Sequence, residues 1–367
     1  MRYKVSVLSR LKWIVLACFG AMAAGVFALW LEHRVPAELT SPTGTFAVGR
    51  TNYQWGDTGA WIWYPAAAAA PADHYLPTAI RMTWLQARPG FINFLTRDLS
   101  TVRGHSAREV PISNAQPMYP VIILRSGGSG SALNYSSLAE DLASHGYVVA
   151  GVDITAIANP EGCVGRDDEE GCATEIMAPL ISGIGEALDH LQELTASSGH
   201  FYSKLDLTRV GVFGHSFGGA QAAQFCSQDA RCKAGINIDG RPFGSVITNG
   251  IPVPFMFLLS DHGPPTDEVS TRILSQIQGI YDRQPPQSRR RMVIRGAHHF
   301  TFSDDGALLK SALFRGVLRV FAGLRISGRR QLEITAYAVR TFFDQHLKGS
   351  TDQSAMLAMP SELVVMP

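Results

Sequence analysis

One run of twelve residues limits what this chain can fold into more than any other: Arg209-Val210-Gly211-Val212-Phe213-Gly214-His215-Ser216-Phe217-Gly218-Gly219-Ala220. It passes from an apolar, β-branched strand through a Gly-x-Ser-x-Gly turn (Gly214, Ser216, Gly218) into a helix-forming segment. In so sharp a turn, strand and helix backbones pass too close for side chains at Gly214 and Gly218. Ser216 is left at the apex, its hydroxyl presented outward with a helix N-terminus behind it. In a chain with 35 glycines the bare pattern is weak. The strand before, the helix after and the extra Gly219 make it a nucleophile elbow, and not an ordinary glycine-rich turn.

The surrounding sequence repeats that rhythm. Residues 121–124 read as a buried strand, 126–130 as a glycine-rich loop, and 133–145 as a helix stopped by Gly146. A strand over 147–152 ends at Asp153, and a long amphipathic helix covers 175–197. After the elbow helix, which runs to Gln228, strand 234–238 ends at Asp239 and strand 255–259 ends at Ser260-Asp261. A helix near 265–283, a strand over 292–294, a loop over 295–305 with His298 and His299, and a closing helix over 334–347 complete the series. Earlier, residues 45–49 and 61–64 alternate and are rich in aromatics, as antiparallel strands are, and Ala66 to Ala70 form a low-complexity loop before Pro71. Alternating strands and helices predict an α/β fold, with a mostly parallel sheet covered on both faces. Ligands of such sheets lie beyond the carboxyl ends of the strands, where every chemically notable residue above falls. Two apolar stretches have two readings. Residues 84–85 and 91–95 read as core, or else as cover over the site. Residues 314–326, with Arg315, Arg319 and Arg325 between apolar positions, read as an amphipathic helix packed on the sheet, or else as a segment dipping into a membrane surface.

The N-terminus adds a second constraint. Arg2, Lys4, Arg10 and Lys12 precede an uncharged run over residues 13–31. As a helix it would be about 28 Å long, close to the thickness of a bilayer core. The basic flank stays cytoplasmic, which puts everything after Glu32 outside. Ala21-Met22-Ala23 offers the rival reading of a cleaved signal peptide, and both readings export the chain. A predicted organisation follows: 1–35 flank and signal or anchor, 40–350 catalytic domain, 351–367 tail. Four cysteines outside the apolar run fall into two local pairs, Cys163 with Cys172 and Cys226 with Cys232, whose simplest pairing in an oxidising compartment is two short-loop disulfides. No Cys-x-x-Cys or histidine-rich spacing suggests a metal. Asp167, Asp168, Glu169 and Glu170 lack the alternation of a calcium loop and read as solvated. A net charge of +1 gives no global field to recruit nucleic acid, and Arg289-Arg290-Arg291 reads as a solvated strand end.

A serine hydroxyl needs a base to take its proton and an acid to orient that base; with an elbow the chain order is Ser, acid, His. His298 and His299 are candidates for the base, of which at most one can serve. His215 lies inside the elbow and reads as packing. Two candidates stand for the acid: Asp239, at the end of the strand after the elbow, and Asp261, one strand further on. An oxyanion needs two backbone N–H groups, one from Phe217 and one from the loop over 126–130.

The motif Gly214-His215-Ser216-Phe217-Gly218-Gly219 resembles the elbow of the platelet-activating-factor acetylhydrolase family of α/β-hydrolases, in its plasma, intracellular type II and bacterial branch. Pro42-Thr43-Gly44-Thr45-Phe46 and Trp63-Tyr64-Pro65 resemble its opening strands. Asp141-Leu142-Ala143-Ser144-His145-Gly146-Tyr147 resembles the helix after its oxyanion strand, Asn237-Ile238-Asp239-Gly240-Arg241-Pro242-Phe243-Gly244 its acid loop, and Gly296-Ala297-His298-His299-Phe300 its histidine loop. The likeness runs over about residues 40–348 in the family's order. It implies Ser216 as nucleophile, Asp239 as acid, His299 as base, and Gly128 with Phe217 as oxyanion donors, with Asp261 as the alternative acid. Where the family has His-Gly in the oxyanion loop, this chain has Ser126-Gly127, a departure that bears on loop rigidity and substrate preference.

The expected activity is serine carboxylic-ester hydrolysis through an acyl-serine, needing neither metal nor organic cofactor. The resemblance implies a small-molecule or lipid ester with a short or oxidised acyl chain as substrate. Membrane contact would run through residues 13–31 if they are retained. Two alternatives stand beside it: a cutinase- or dienelactone-hydrolase-like enzyme acting on polyesters or lactones, and an inactive hydrolase fold used as a binding module.

Overall fold

A computed structural model describes residues 2–34, 38–87, 102–128, 130–154, 163, 168–308, 316, 319–320, 325–351 and 358–366. Helix α1 (Arg2–Arg34) contains an apolar stretch, Lys12–Leu31, long enough to cross a membrane and with none of its residues buried by the rest of the chain. Strands β1 (Ala47–Trp55) and β2 (Thr58–Ala66) form an antiparallel hairpin, followed by α2 (Thr78–Ala87) and the short β3 (Ser106–Arg108). Then come β4 (Tyr119–Arg125), α3 (Ser136–Ser144), β5 (Val148–Ile154) and α4 (Glu169–Ala196). The second half runs β6 (Leu205–His215), α5 (Phe217–Gln228), β7 (Cys232–Ile238), α6 (Val246–Asn249), β8 (Phe255–Leu259), α7 (Glu268–Arg283) and β9 (Arg289–Ile294). It closes with α8 (Asp305–Leu308), α9 (Gly328–Leu347) and β10 (Leu363–Val365).

Among the described residues, ten strands make one sheet in the order β10-β9-β8-β7-β6-β4-β5-β2-β1-β3. From β5 to β9 every neighbouring pair is parallel; β2 joins β5, and β10 joins β9, antiparallel. The central strands are apolar on both faces because helices cover both. All seven residues of β4 are buried, and the side chains divide between two core clusters, one holding Ile122, Phe213 and Val339 and the other Val121, Val212 and Ile184.

Several boundaries differ from the sequence reading for local reasons. Helix α4 begins at Glu169, within the acidic run read as solvated loop, because the Asp168 side chain caps it by accepting the Gly171 N–H at 3.0 Å. Helix α9 begins at Gly328, capped by Ser327. Residues 363–365, read as part of a tail, pair with β9 as an edge strand. Residues 91–95 and most of 314–326 lie outside the described residues, as do the side chains of Trp84 and Leu85. Both local cysteine pairs are bonded, Cys163–Cys172 and Cys226–Cys232, and Cys18 is free and exposed.

Candidate active site

Strand β6 delivers the chain to Ser216 and α5 takes it away. A side chain on Gly214 would lie 2.3 Å from the Gly218 carbonyl carbon, and one on Gly218 would lie 2.4 Å from the Arg125 carbonyl oxygen. Ser216 itself has φ 55°, a conformation that costs energy without glycine and that this packing imposes. As the first residue of α5, Phe217 has an N–H with no acceptor inside the helix.

The loop after β9 turns His299 toward this apex. His299 Nε2 stands 3.1 Å from Ser216 Oγ, and His299 Nδ1 stands 2.8 Å from Asp239 Oδ2. If the Nδ1–H donates to the carboxylate, Nε2 is left to accept from the serine hydroxyl. Asp239 follows β7, again with positive φ (52°), and its N–H bonds the Leu258 carbonyl. Burial pushes its carboxyl up, but hydrogen bonds from His262, His299 and Ser260 outweigh this and hold it well below the usual carboxylate range. It is therefore a fixed negative charge.

The other sequence candidates fall elsewhere. Asp261 Oδ2 accepts the Gly296 N–H at 2.8 Å, so this acid holds the start of the histidine loop, and His299 bonds Asp239. His298 sits against α9, its N–H donated to Gln331 Oε1 at 3.0 Å. His215 is buried, with its ring centroid 4.6 Å from that of His299 and its Nδ1 2.8 Å from Tyr135 Oη. Burial and then the neighbouring His299 push it down to about 3, so it stays neutral. It does more than pack: the same Tyr135 hydroxyl accepts the Gly127 N–H at 3.3 Å, tying the loop after β4 to the elbow.

That loop is short and self-bonded. Ser126 Oγ donates to the Gly130 carbonyl at 2.5 Å and the Gly130 N–H to the Gly127 carbonyl at 2.8 Å. A Cβ on Gly127 would lie 2.9 Å from Ser216 Cβ, so this backbone runs directly against the serine; Gly128 follows, exposed, with φ 48°. At its far end Asp153 accepts from Ser131 Oγ at 2.7 Å and the Ala132 N–H at 2.8 Å. Beneath it Arg125 is buried, donating to Gln221 Oε1 at 2.7 Å and to the Val152 carbonyl; burial pushes its guanidinium down to about 10 despite nearby Asp153. Tyr135 and His262 were the residues sequence reading missed. The second stands directly after Ser260-Asp261, a strand end already marked, and its pattern gave no sign that the ring turns back onto Asp239.

A mostly parallel sheet with an elbow serine, a histidine and a buried carboxylate in line at its carboxyl edge defines an α/β-hydrolase of the serine ester hydrolase class. The family model for platelet-activating factor acetylhydrolase, isoform II, matches residues 38–158 and 180–359, and the chain belongs to that family. It is 26% identical over 329 residues to a platelet-activating factor acetylhydrolase of Cavia porcellus, a match covering 76% of this chain and 73% of the relative. A shorter match, 30% identical over 118 residues, covers 32% of this chain and 34% of cutinase est1 of Thermobifida alba. In fold, the chain is similar to a ferulic acid esterase from Streptomyces cinnamoneus, with a TM-score of 0.68 over 91% of this chain and 100% of the other at 22% identity. The protein is a carboxylic-ester hydrolase.

Proposed function

We propose that Ser216 is the nucleophile, His299 the general base and Asp239 the acid of an acyl transfer to water, with the Gly128 and Phe217 N–H groups holding the oxyanion. The observation that carries this reading is the unbroken line from Ser216 Oγ to His299 (3.1 Å) to Asp239 (2.8 Å). His299 takes the serine proton as Oγ attacks the ester carbonyl. It then gives that proton to the leaving alcohol as the tetrahedral intermediate collapses to acyl-serine. A water enters, His299 takes its proton, and a second collapse frees the carboxylic acid and restores the hydroxyl. Asp239 keeps its charge throughout and stabilises the imidazolium.

The substrate we infer is an ester with a short or oxidised acyl group on a glycerophospholipid, or a small soluble ester. The long match to an enzyme named as an acetylhydrolase supports it. The exposed Phe300 beside His299 supplies apolar surface at the site, their ring centroids 5.3 Å apart. The apolar helix and two disulfides support a location outside the cytoplasm, with residues 1–35 as anchor or signal and a catalytic domain over 40–350 to whose sheet residues 363–365 add an edge strand. The shorter match to a cutinase favours a second reading, hydrolysis of polyester.

The test is a series of aryl esters of rising acyl length given to the full chain, with Ser216→Ala as blank. Rates falling from acetyl to octanoyl are expected; rates rising toward long chains, or release of acids from insoluble polyester, would favour the second reading. A fluorophosphonate probe that fails to label Ser216 in folded protein would overturn Ser216 as nucleophile and favour the binding-module reading.

A further inference from the structure

His299 is not the only histidine on Asp239. His262 Nε2 lies 3.0 Å from Asp239 Oδ1 and 2.8 Å from Ser260 Oγ. Ser260 gives its one hydroxyl proton to Asp239 Oδ2 at 2.7 Å, and its N–H to Oδ1 at 2.9 Å. A hydroxyl that has donated its proton can only accept from the imidazole, so His262 Nε2 carries a hydrogen whether the ring is neutral or charged. With His299 Nδ1 on Oδ2 at 2.8 Å, Oδ2 accepts two hydrogen bonds, and Oδ1 accepts the Ser260 N–H and a share of the single His262 Nε2–H, which is divided between Oδ1 and Ser260 Oγ. The Asp239 side chain is 1% exposed and that of His262 is 60% exposed, so His262 links a buried charge to solvent.

We propose that His262 is a positioning residue for the hydrolytic reaction: it fixes Asp239 through the oxygen that His299 does not use, and when protonated it competes with His299 for the same negative charge. The inference rests on the roles given to Ser216, His299 and Asp239 under Proposed function.

Asp239 and Asp261 favour the His262 proton, His298 and His299 stand in the loop beside it, and Asp282, Arg291 and Arg295 line the same cavity of ≈ 830 Å³. The hydrogen bond to Asp239 is the largest influence and raises the ring's proton affinity against partial burial, with Asp261 acting in the same sense. His262 therefore holds its proton more firmly than a free imidazole, and once protonated it is a cation beside Asp239. That cation offsets part of the Asp239 charge and makes protonation of His299 less favourable. The acid limb of the rate profile thus lies lower than it would with Asp239 serving one histidine.

The test is kcat/KM of the full chain on a soluble aryl acetate from pH 5 to 9, for wild type, His262→Ala, His262→Gln, Asp239→Asn and Ser216→Ala, with thermal melts to establish folding. Both His262 variants should move the acid limb up by about half to one pH unit, because a like charge beside His299 is gone. His262→Ala should lower the plateau about tenfold. His262→Gln, which keeps an N–H donor but does not titrate, should lower it less than about threefold. An acid limb in His262→Gln that superimposes on wild type, while Asp239→Asn is inactive, overturns the role of His262 alone. An Asp239→Asn variant with wild-type rates overturns the assignment of the acid itself.

Discussion

Two aspartates stand at neighbouring strand ends, and what separates them is which histidine-loop atom each reaches. The Asp239 carboxylate meets the His299 ring at 2.8 Å; the Asp261 carboxylate meets the Gly296 N–H, also at 2.8 Å. Asparagine at 239 keeps the shape but removes the charge and can impose the wrong imidazole tautomer, which in serine hydrolases costs about 10⁴ in kcat. Asparagine at 261 keeps a carbonyl acceptor for Gly296, so kcat should change by less than about threefold, with a stability loss of about 1 kcal/mol. Steady-state rates of the two variants on an aryl acetate check this, and a dead Asp261→Asn beside an active Asp239→Asn would reverse the assignment. Both positions are visible in the sequence as acids closing apolar runs. The choice between them is a matter of side-chain direction after the strand, and it was the family likeness, not periodicity, that selected Asp239.

At the scale of elements, the site is a set of loops carried by β4, β6, β7, β8 and β9, and its geometry depends on how these elements are clamped. The Cys226–Cys232 bond joins the end of α5 to the start of β7, and thus the helix behind Ser216 to the strand leading to Asp239. Both cysteines are buried. Closing so short a loop restricts the unfolded chain by about 2 kcal/mol on the chain-entropy account. Replacing both by alanine should lower the Tm by a few degrees in a thermal melt while leaving kcat at 25 °C within about twofold, since the bond lies at the far end of α5 from Ser216. A tenfold fall in kcat without a change in Tm would show that the clip acts on the site and not on stability. The longer strands were legible: β4, β6, β7 and β8 are apolar runs closed by a glycine-rich loop, the elbow or an aspartate, and the elbow leads β6 into α5. Three-residue strands were not. β3 and β10 have no periodicity to show and owe their existence to distant partners, Val48 to Arg50 for one and Met292 to Ile294 for the other. The start of α4 was missed because its cap, Asp168, looks like one more acid in a solvated run.

Across the whole molecule, buried acids join layers that the sheet alone would not hold in register, and they give stability a particular pH dependence. Asp304 follows the histidine loop. Its N–H bonds the Asn134 carbonyl at 2.7 Å, and its carboxyl accepts the Ser137 N–H at 3.2 Å at the start of α3. It therefore fastens the loop that carries His299 to α3, the helix that follows the glycine-rich loop after β4. Burial pushes its carboxyl up to about 8, more than the hydrogen bonds from Ser137 push it down, with Glu140 and Asp305 adding to the rise. The unfolded chain would ionise this group near 3.8. Below that value both states hold the proton and Asp304 adds no pH dependence. Between about 4 and 8 the unfolded state has lost the proton and the folded state keeps it, so stability falls as pH rises, by up to about 1.4 kcal/mol per unit. Asp239 works in the opposite sense: its depressed carboxyl contributes stability that is present above the unfolded value and lost only in acid. Asp304→Asn keeps a neutral group and a carbonyl acceptor for Ser137 without the titration. Its Tm should match wild type near pH 4 and exceed it increasingly toward pH 8, whereas two parallel Tm–pH curves would mean that Asp304 is ionised in the folded protein and that another group supplies the slope.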